Sequence, residues 1–200
     1  MKEYWKGGNM LNPLPAVMVS MKSKDGINNI ITVAWCGNLC TNPPILYISV
    51  RPERYSYNII KDTGEFVVNL VNKDLTYACD YCGVRSGKDH DKFKELNLTP
   101  IESKYVKAPS IEESPVNIEC RVRQIIELGS HHMIMADILG VTIDNKYMDK
   151  NGRFSLEDAN LISYSHGEYY TLGEYVGKFG YSVKKKWNHF NCFFMEYILL

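Results

Sequence analysis

Four groups of residues in this 200-residue chain combine side-chain types that carry chemistry. The stretch Arg51-Pro52-Glu53-Arg54-Tyr55-Ser56-Tyr57 follows an apolar run and opens a predicted helix. A helix start exposes unpaired N–H groups and the positive end of the dipole, so Arg51, Arg54 and the Ser56 hydroxyl together would receive an anion or a phosphate. The same residues fit two solvated arginines and a water-facing hydroxyl at least as well. Trp35, followed by Cys36 and Gly37, ends a strand-like run; a lone Trp packs in a core by default, and a flat ligand is the other use of its face. Cys79-x2-Cys82 with His90 has a fragment of zinc-ligand spacing, but a second Cys pair is missing nearby, as is the βαβ setting of a redox dithiol. Idle or buried thiols are the expectation there. His131-His132 reads either as a turn pair or as a source of a ligand-facing imidazole, and His166 is similarly open.

These residues must be positioned mostly by strands. Period-two alternation is clearest at Val116-Asn117-Ile118-Glu119-Cys120-Arg121-Val122-Arg123; it slips at Gln124, as a β-bulge would read, and resumes at Ile125. After Gly129-Ser130 a second apolar run, 133–143, completes a hairpin. Earlier strands are predicted at 14–21, 27–35, 45–50 and 65–70, with Lys24-Asp25-Gly26 as the turn between the first two. Short helices are predicted at 52–62, ending at Gly64, at about 74–81, and at 91–96. Many strands with few short helices predict a mainly β, antiparallel barrel. The absence of a Gly-x-Gly-x-x-Gly or Walker-type loop removes support for the usual dinucleotide and nucleoside triphosphate folds.

Composition bounds the partners. Lys and Arg number 23, as do Asp and Glu, so the formal charge is zero and bulk electrostatic binding to nucleic acid or to an anionic membrane is not expected. The start of the chain lacks an apolar signal region and no run of 18 apolar residues occurs, so a cytoplasmic location is expected, with all six cysteines as thiols. The 14 Tyr, 7 Phe and 3 Trp point to interfaces or a flat ligand as well as to a core.

The motifs then combine into a resemblance. Trp35 at a strand end, Asn42-Pro43-Pro44 before the next strand, the run from Arg51 to Ile60, and Thr63-Gly64-Glu65-Phe66-Val67-Val68-Asn69-Leu70 stand in this order. They are followed by Cys79-Asp80-Tyr81-Cys82-Gly83, by Ser86-Gly87-Lys88-Asp89-His90-Asp91-Lys92-Phe93, by Ser114-Pro115-Val116-Asn117-Ile118-Glu119-Cys120, by Gly129-Ser130-His131, and by Tyr164-Ser165-His166-Gly167-Glu168-Tyr169. The set closely resembles the flavin reductase-like FMN-binding family, in its flavoredoxin-type branch, over residues 11–185.

That resemblance implies a split β-barrel with Greek-key connections and peripheral helices, binding FMN without a covalent link at a homodimer interface. It implies one domain over residues 1–185 and an additional aromatic tail over 186–200, to which no role is carried. Asn29 and Trp35 match side chains beside the isoalloxazine, and the backbone of Val33, Ala34, Cys36 and Gly37 lies along it. Arg51 and Ser56 match the phosphate and ribityl side; Lys92, His131 and Tyr164 match further flavin-contacting positions. The chemistry fits: a dianionic phosphate suits Arg51 and a helix start, a flat ring suits Trp35 and Tyr164, and a cation such as Lys92 near the N1–C2=O edge would favour the anionic reduced flavin. Reaction at flavin N5 needs no catalytic side chain. The implied activity is transfer of electrons from NAD(P)H or a redox partner protein through FMN to an acceptor; a flavin carrier with little turnover is the alternative, and a zinc-stabilised interaction module a more distant one.

Overall fold

The structure, a computed structural model, describes residues 1–183; the tail at 186–200 lies outside the described residues. In chain order the strands are β1 (Leu14–Pro15), β2 (Val17–Lys22), β3 (Asn28–Val33), β4 (Cys36–Cys40), β5 (Ile45–Val50), β6 (Glu65–Leu70), β7 (Pro100–Ile101), β8 (Ser110–Ile111), β9 (Val116–Glu127), β10 (His132–Ile143), β11 (Ile162–Ser165) and β12 (Glu168–Thr171). The α-helices are α1 (Tyr55–Thr63), α2 (Thr76–Val84) and α3 (Lys92–Glu95).

Seven strands form one antiparallel sheet in the order β3-β2-β6-β9-β10-β5-β4. Its two edge strands, β3 and β4, are consecutive in the chain and separated only by Ala34 and Trp35. A link that short reaches roughly 10 Å at full extension, so the sheet must curl until its edges meet at Trp35. Because β3 and β4 do not pair with each other, the cylinder stays split. Strands β6, β9 and β10 form a meander, and β5, joined to β6 through α1, returns beside β10: a Greek-key arrangement, as expected. Among the described residues no helix is long and apolar enough to cross a membrane.

Alternate residues of the strands fill the barrel: Val17, Val19 and Met21 from β2, Ile31 and Val33 from β3, Ile48 and Val50 from β5, Phe66 and Val68 from β6. Tyr55, Tyr57, Ile59 and Ile60 of α1 pack on this core, with Tyr57 and Ile60 three apart and Tyr55 and Ile59 four apart, each pair on one side of the helix. The opposite face of β2 and β3, carrying Met18 and Ile30, is covered by Ala78, Cys79 and Cys82 of α2 and Phe93 of α3.

Several boundaries move for identifiable reasons. Strand β3 stops at Val33 rather than Trp35, because the chain turns there: Cys36 N–H donates to Ala34 O at 3.1 Å, and Ser49 N–H donates to Trp35 O at 2.8 Å. Helix α1 starts at Tyr55 rather than Pro52, since Arg51–Arg54 forms a turn (Arg54 N–H to Arg51 O, 3.0 Å) that leaves Arg54 extended as the N-cap. It ends at Gly64, whose left-handed φ of 71° lets its N–H reach Ile60 O at 2.8 Å. The slip near Gln124 is a bulge: Met135 faces Gln124 and Ala136 faces Val122, leaving Arg123 as the extra residue.

Candidate functional site

The corner at Trp35 opens onto a cavity of about 400 Å³. Three segments meet there: the end of β3 with Ala34 and Trp35, the end of β5 with Arg51 and Arg54, and the last turn of α2 with Asp80 and Gly83. The β11–β12 hairpin and His131 close the remaining sides. Helix α2 can approach β3 because Gly83 has no side chain; a Cβ there would lie 3.3 Å from Thr32 Cβ. Thr32 also donates its hydroxyl hydrogen to Cys79 O, fixing the same contact.

The hairpin holds Tyr164 over the cavity. Leu14 pairs with Tyr164 across β1 and β11, and the two-residue turn His166-Gly167 has φ values of 50° and 88°, the left-handed pair that suits the right-handed twist of the flanking strands. The rings of Tyr164 and Tyr169 lie 5.5 Å apart, and Tyr169 donates to Asp80 Oδ1 at 3.2 Å, linking the hairpin to α2. Burial and the nearby Cys79 and Asp80 raise the Tyr169 pKa, so the phenol stays protonated as a donor.

The lining of the cavity carries positive charge. Arg51 and Arg54 line it beside the start of α1, whose first turn has no acidic residue and, among the described residues, no side-chain cap. Two guanidinium groups therefore line the cavity next to a helix start, with Asp80 as the carboxylate of the same lining. The aromatic part of the wall includes Trp35 and His131, which stack with centroids 4.3 Å apart at an interplanar angle of 37°. Partial burial and the charge of Arg51 lower the His131 pKa, so the imidazole is neutral at neutral pH.

The predicted site residues divide into three groups. Val33, Ala34, Trp35, Arg51, His131 and Tyr164 come together around the cavity. Asn29, Ser56 and Lys92 do not line it; they form a buried polar group farther along β3. Asn29 Nδ2 donates to Ser56 Oγ at 2.8 Å, while Lys92 Nζ donates to Ile30 O at 2.6 Å and to Cys82 O at 3.1 Å. Burial lowers the Lys92 pKa. Asn29 Oδ1 is buried without a hydrogen-bond partner among the described residues. Cys36 and Gly37 lie on β4 opposite Ile48 and Tyr47, and desolvation pushes the Cys36 thiol up to about 12.

The two histidines at 131 and 132 separate: His132 turns to Tyr57, its Nδ1 2.8 Å from the phenol oxygen, while His131 faces the cavity. Cys79 and Cys82 are buried thiols that desolvation raises to about 12 and about 11. His90 instead sits 3.1 Å from Glu95, and among the described residues no group of three potential metal ligands gathers. Sequence reasoning did not select Asp80, Gly83, Gly167 or Tyr169 as site residues; each lay inside a motif, but only the folding of α2 and the hairpin onto β3 brings them to one cavity.

A family model described as "Flavin reductase like domain" matches residues 10–173, a span that includes every predicted site residue. The chain belongs to this family. A relative, an uncharacterized protein of Archaeoglobus fulgidus, is 34% identical over 143 residues, or 72% of this chain and 80% of that one. Flavoredoxin of Desulfovibrio vulgaris (Miyazaki F) superposes with a TM-score of 0.86 at 29% identity, covering 92% of this chain and 100% of that one. A split-barrel protein of Shewanella frigidimarina, at 23% identity and a TM-score of 0.77 over 86% of this chain and 89% of its own, shares the fold.

Proposed function

We propose that the cavity at Trp35 holds FMN and that the protein is an FMN-dependent oxidoreductase. It takes electrons from NAD(P)H or a redox partner protein and passes them through the flavin to an acceptor. The observation that carries this reading is the make-up of the cavity lining: Arg51 and Arg54 together with the aromatic rings of Trp35, His131 and Tyr164. FMN has the matching parts, a phosphate dianion joined through a ribityl chain to a flat ring system. Membership of the flavin reductase-like family supports the flavin itself, and the pair of arginines favours the phosphorylated form.

When bound, the flavin supplies hydride chemistry at its N5 atom; the chain supplies position and electrostatics. Arg51 and Arg54 neutralise the phosphate with charge-assisted hydrogen bonds. The rigid corner at Ala34 and Trp35, tied to β5 by the Ser49–Trp35 backbone bond, orients the ring edge. His131, kept neutral, presents an uncharged imidazole on Trp35 rather than a third cation. Lys92 holds the backbone that shapes this wall by tying β3 to the end of α2. A second copy of the chain would cover the open side, a role that suits the exposed apolar residues Tyr4, Trp5, Tyr175 and Phe179 near the two ends of the described chain.

The test is a visible spectrum of the purified, FMN-reconstituted protein, followed by anaerobic addition of NADH or NADPH. Bleaching of the flavin band supports the oxidoreductase. A protein that remains yellow with both nucleotides is the electron carrier instead, and one that cannot take up FMN rules out both.

A further inference from the structure

We propose that the β11–β12 hairpin is a hinged flap over the flavin cavity and that the Tyr169 hydroxyl, bonded to Asp80, is the latch that holds it shut. This rests on the reading of that cavity as the flavin site. Tyr164 and Gly167 of the hairpin line the cavity from one side, and Asp80, Gly83 and Val84 of α2 line it from another. Tyr169 joins the two sides and lines the cavity itself.

The attachments of the hairpin locate the hinge and the latch. A two-stranded hairpin is marginally stable in water by itself, so the groups that tie it down decide where it sits. Its base is fixed: Ile162 is buried in the cluster that includes Ala78 and Cys79 of α2, its N–H donates to Val71 O at 3.1 Å, and Asn72 bridges Leu161. Beyond the base, β11 pairs with β12 and with the two-residue β1, at Leu14–Tyr164 and Pro15–Ser163. Strand β12 lies at the edge of this small sheet, and residues 166–168 at the turn are exposed. Among the described residues, one side-chain hydrogen bond runs from the hairpin to the rest of the chain, from the Tyr169 hydroxyl to Asp80 Oδ1 at 3.2 Å. The side-chain bonds of Ser163 and Tyr170 stay within the hairpin. The Tyr169 ring lies 5.5 Å from that of Tyr164, its partner across the strands, so the latch also sets where the Tyr164 ring stands. Tyr169 is thus a positioning residue: its ring supports Tyr164, and its hydroxyl closes the flap on α2. A phenylalanine in its place keeps the packing and loses only the latch.

The latch is tested first on the flavin-free protein, by hydrogen exchange of the hairpin amides, which reports the population of the open form. Tyr169→Phe and Asp80→Ala should each speed exchange at residues 163–171 about fivefold, the order expected of one hydrogen bond, with β9 and β10 unchanged. The double variant should exchange no faster than the faster single variant, because both changes remove the same bond. Unchanged exchange, additive effects, or an equal rise throughout the barrel would overturn the latch. The flap is tested by stopped-flow fluorescence of FMN binding to Tyr169→Phe. Because FMN enters and leaves through the open form, association and dissociation should both speed up about fivefold while Kd changes by less than about twofold. Faster dissociation alone would make Tyr169 an ordinary contact and overturn the flap. Failure of the unmodified protein to take up FMN would remove the flavin reading, and the exchange result would still decide the latch.

Discussion

Arg51 has two effects on its surroundings that can be measured separately. It offers a cation to the phosphate, and its charge, after the burial of the ring itself, holds the His131 imidazole below its usual pKa. Replacing Arg51 with Ala should weaken FMN by at least about tenfold, the lower edge of the roughly 1.5–3 kcal/mol of a hydrogen bond to a charged group, and riboflavin much less; equal losses would contradict a phosphate contact. The same variant should raise the His131 titration midpoint, followed by the imidazole C–H resonances. The sign for stability follows from linkage. A His whose folded pKa is lowered costs nothing at pH 8, where both states are neutral, and destabilises the fold as pH falls through about 6.5, where the unfolded imidazole takes up a proton that the folded one resists. Arg51→Ala should therefore lessen the drop in melting temperature between pH 7.5 and pH 5. A second residue-scale prediction concerns Gly87, where a Cβ would lie 1.9 Å from Asn29 Oδ1. Gly87→Ala should lower stability by about 1–3 kcal/mol in denaturant unfolding; an unchanged midpoint would mean that the loop does not seat on Asn29. Trp35, Arg51, His131 and Tyr164 were legible because each sat in a quoted motif at a strand or helix end. The burial of Lys92 was not: its Asp-Lys-Phe setting matched a flavin-contacting position, and only the closing of α2 over β3 supplies the two carbonyls that accept from it.

At the scale of elements, the site depends on how three pieces are tied to β3. Lys92 bridges Ile30 O on β3 and Cys82 O on α2, so Lys92→Met keeps much of the side-chain volume while leaving two buried acceptors unpaired. Each unpaired acceptor costs about 1–3 kcal/mol. The variant should lose stability of at least that order in urea unfolding and hold FMN more weakly; full stability would contradict the clamp. Strand β9 was readable because its apolar and polar residues alternate, and β2, β5, β6 and β10 because they are short or long apolar runs bounded by turn residues. Strand β4 was not, since Cys36-Gly37-Asn38-Leu39-Cys40 has no alternation and exists because curling of the sheet brings it against β5. The β11–β12 hairpin escaped for a related reason: its half-exposed Tyr and Ser residues form no apolar stripe, and its partner is the two-residue β1. The start of α1 shifted by three residues because a turn precedes it, which composition does not distinguish from a first helical turn.

At the scale of the whole molecule, zero net charge conceals a locally charged site. Positive charge is concentrated at Arg51 and Arg54, beside the aromatic rings of Trp35, His131 and Tyr164 that line the same cavity. The barrel topology makes that site possible: the consecutive edge strands meet at Trp35, and the corner opens onto the cavity. If a second copy completes the open face, sedimentation of the FMN-loaded protein should give the mass of two chains; a monomer that keeps FMN tightly would contradict that arrangement. The central claim is that one FMN binds per chain at the Trp35 corner. The most direct measurement is a titration of the flavin-free protein into FMN, followed by quenching of flavin fluorescence. Saturation at one FMN per chain, with an affinity that Arg51→Ala reduces at least about tenfold, is the predicted result. A fluorescence signal that never saturates, or an affinity indifferent to Arg51, would contradict it.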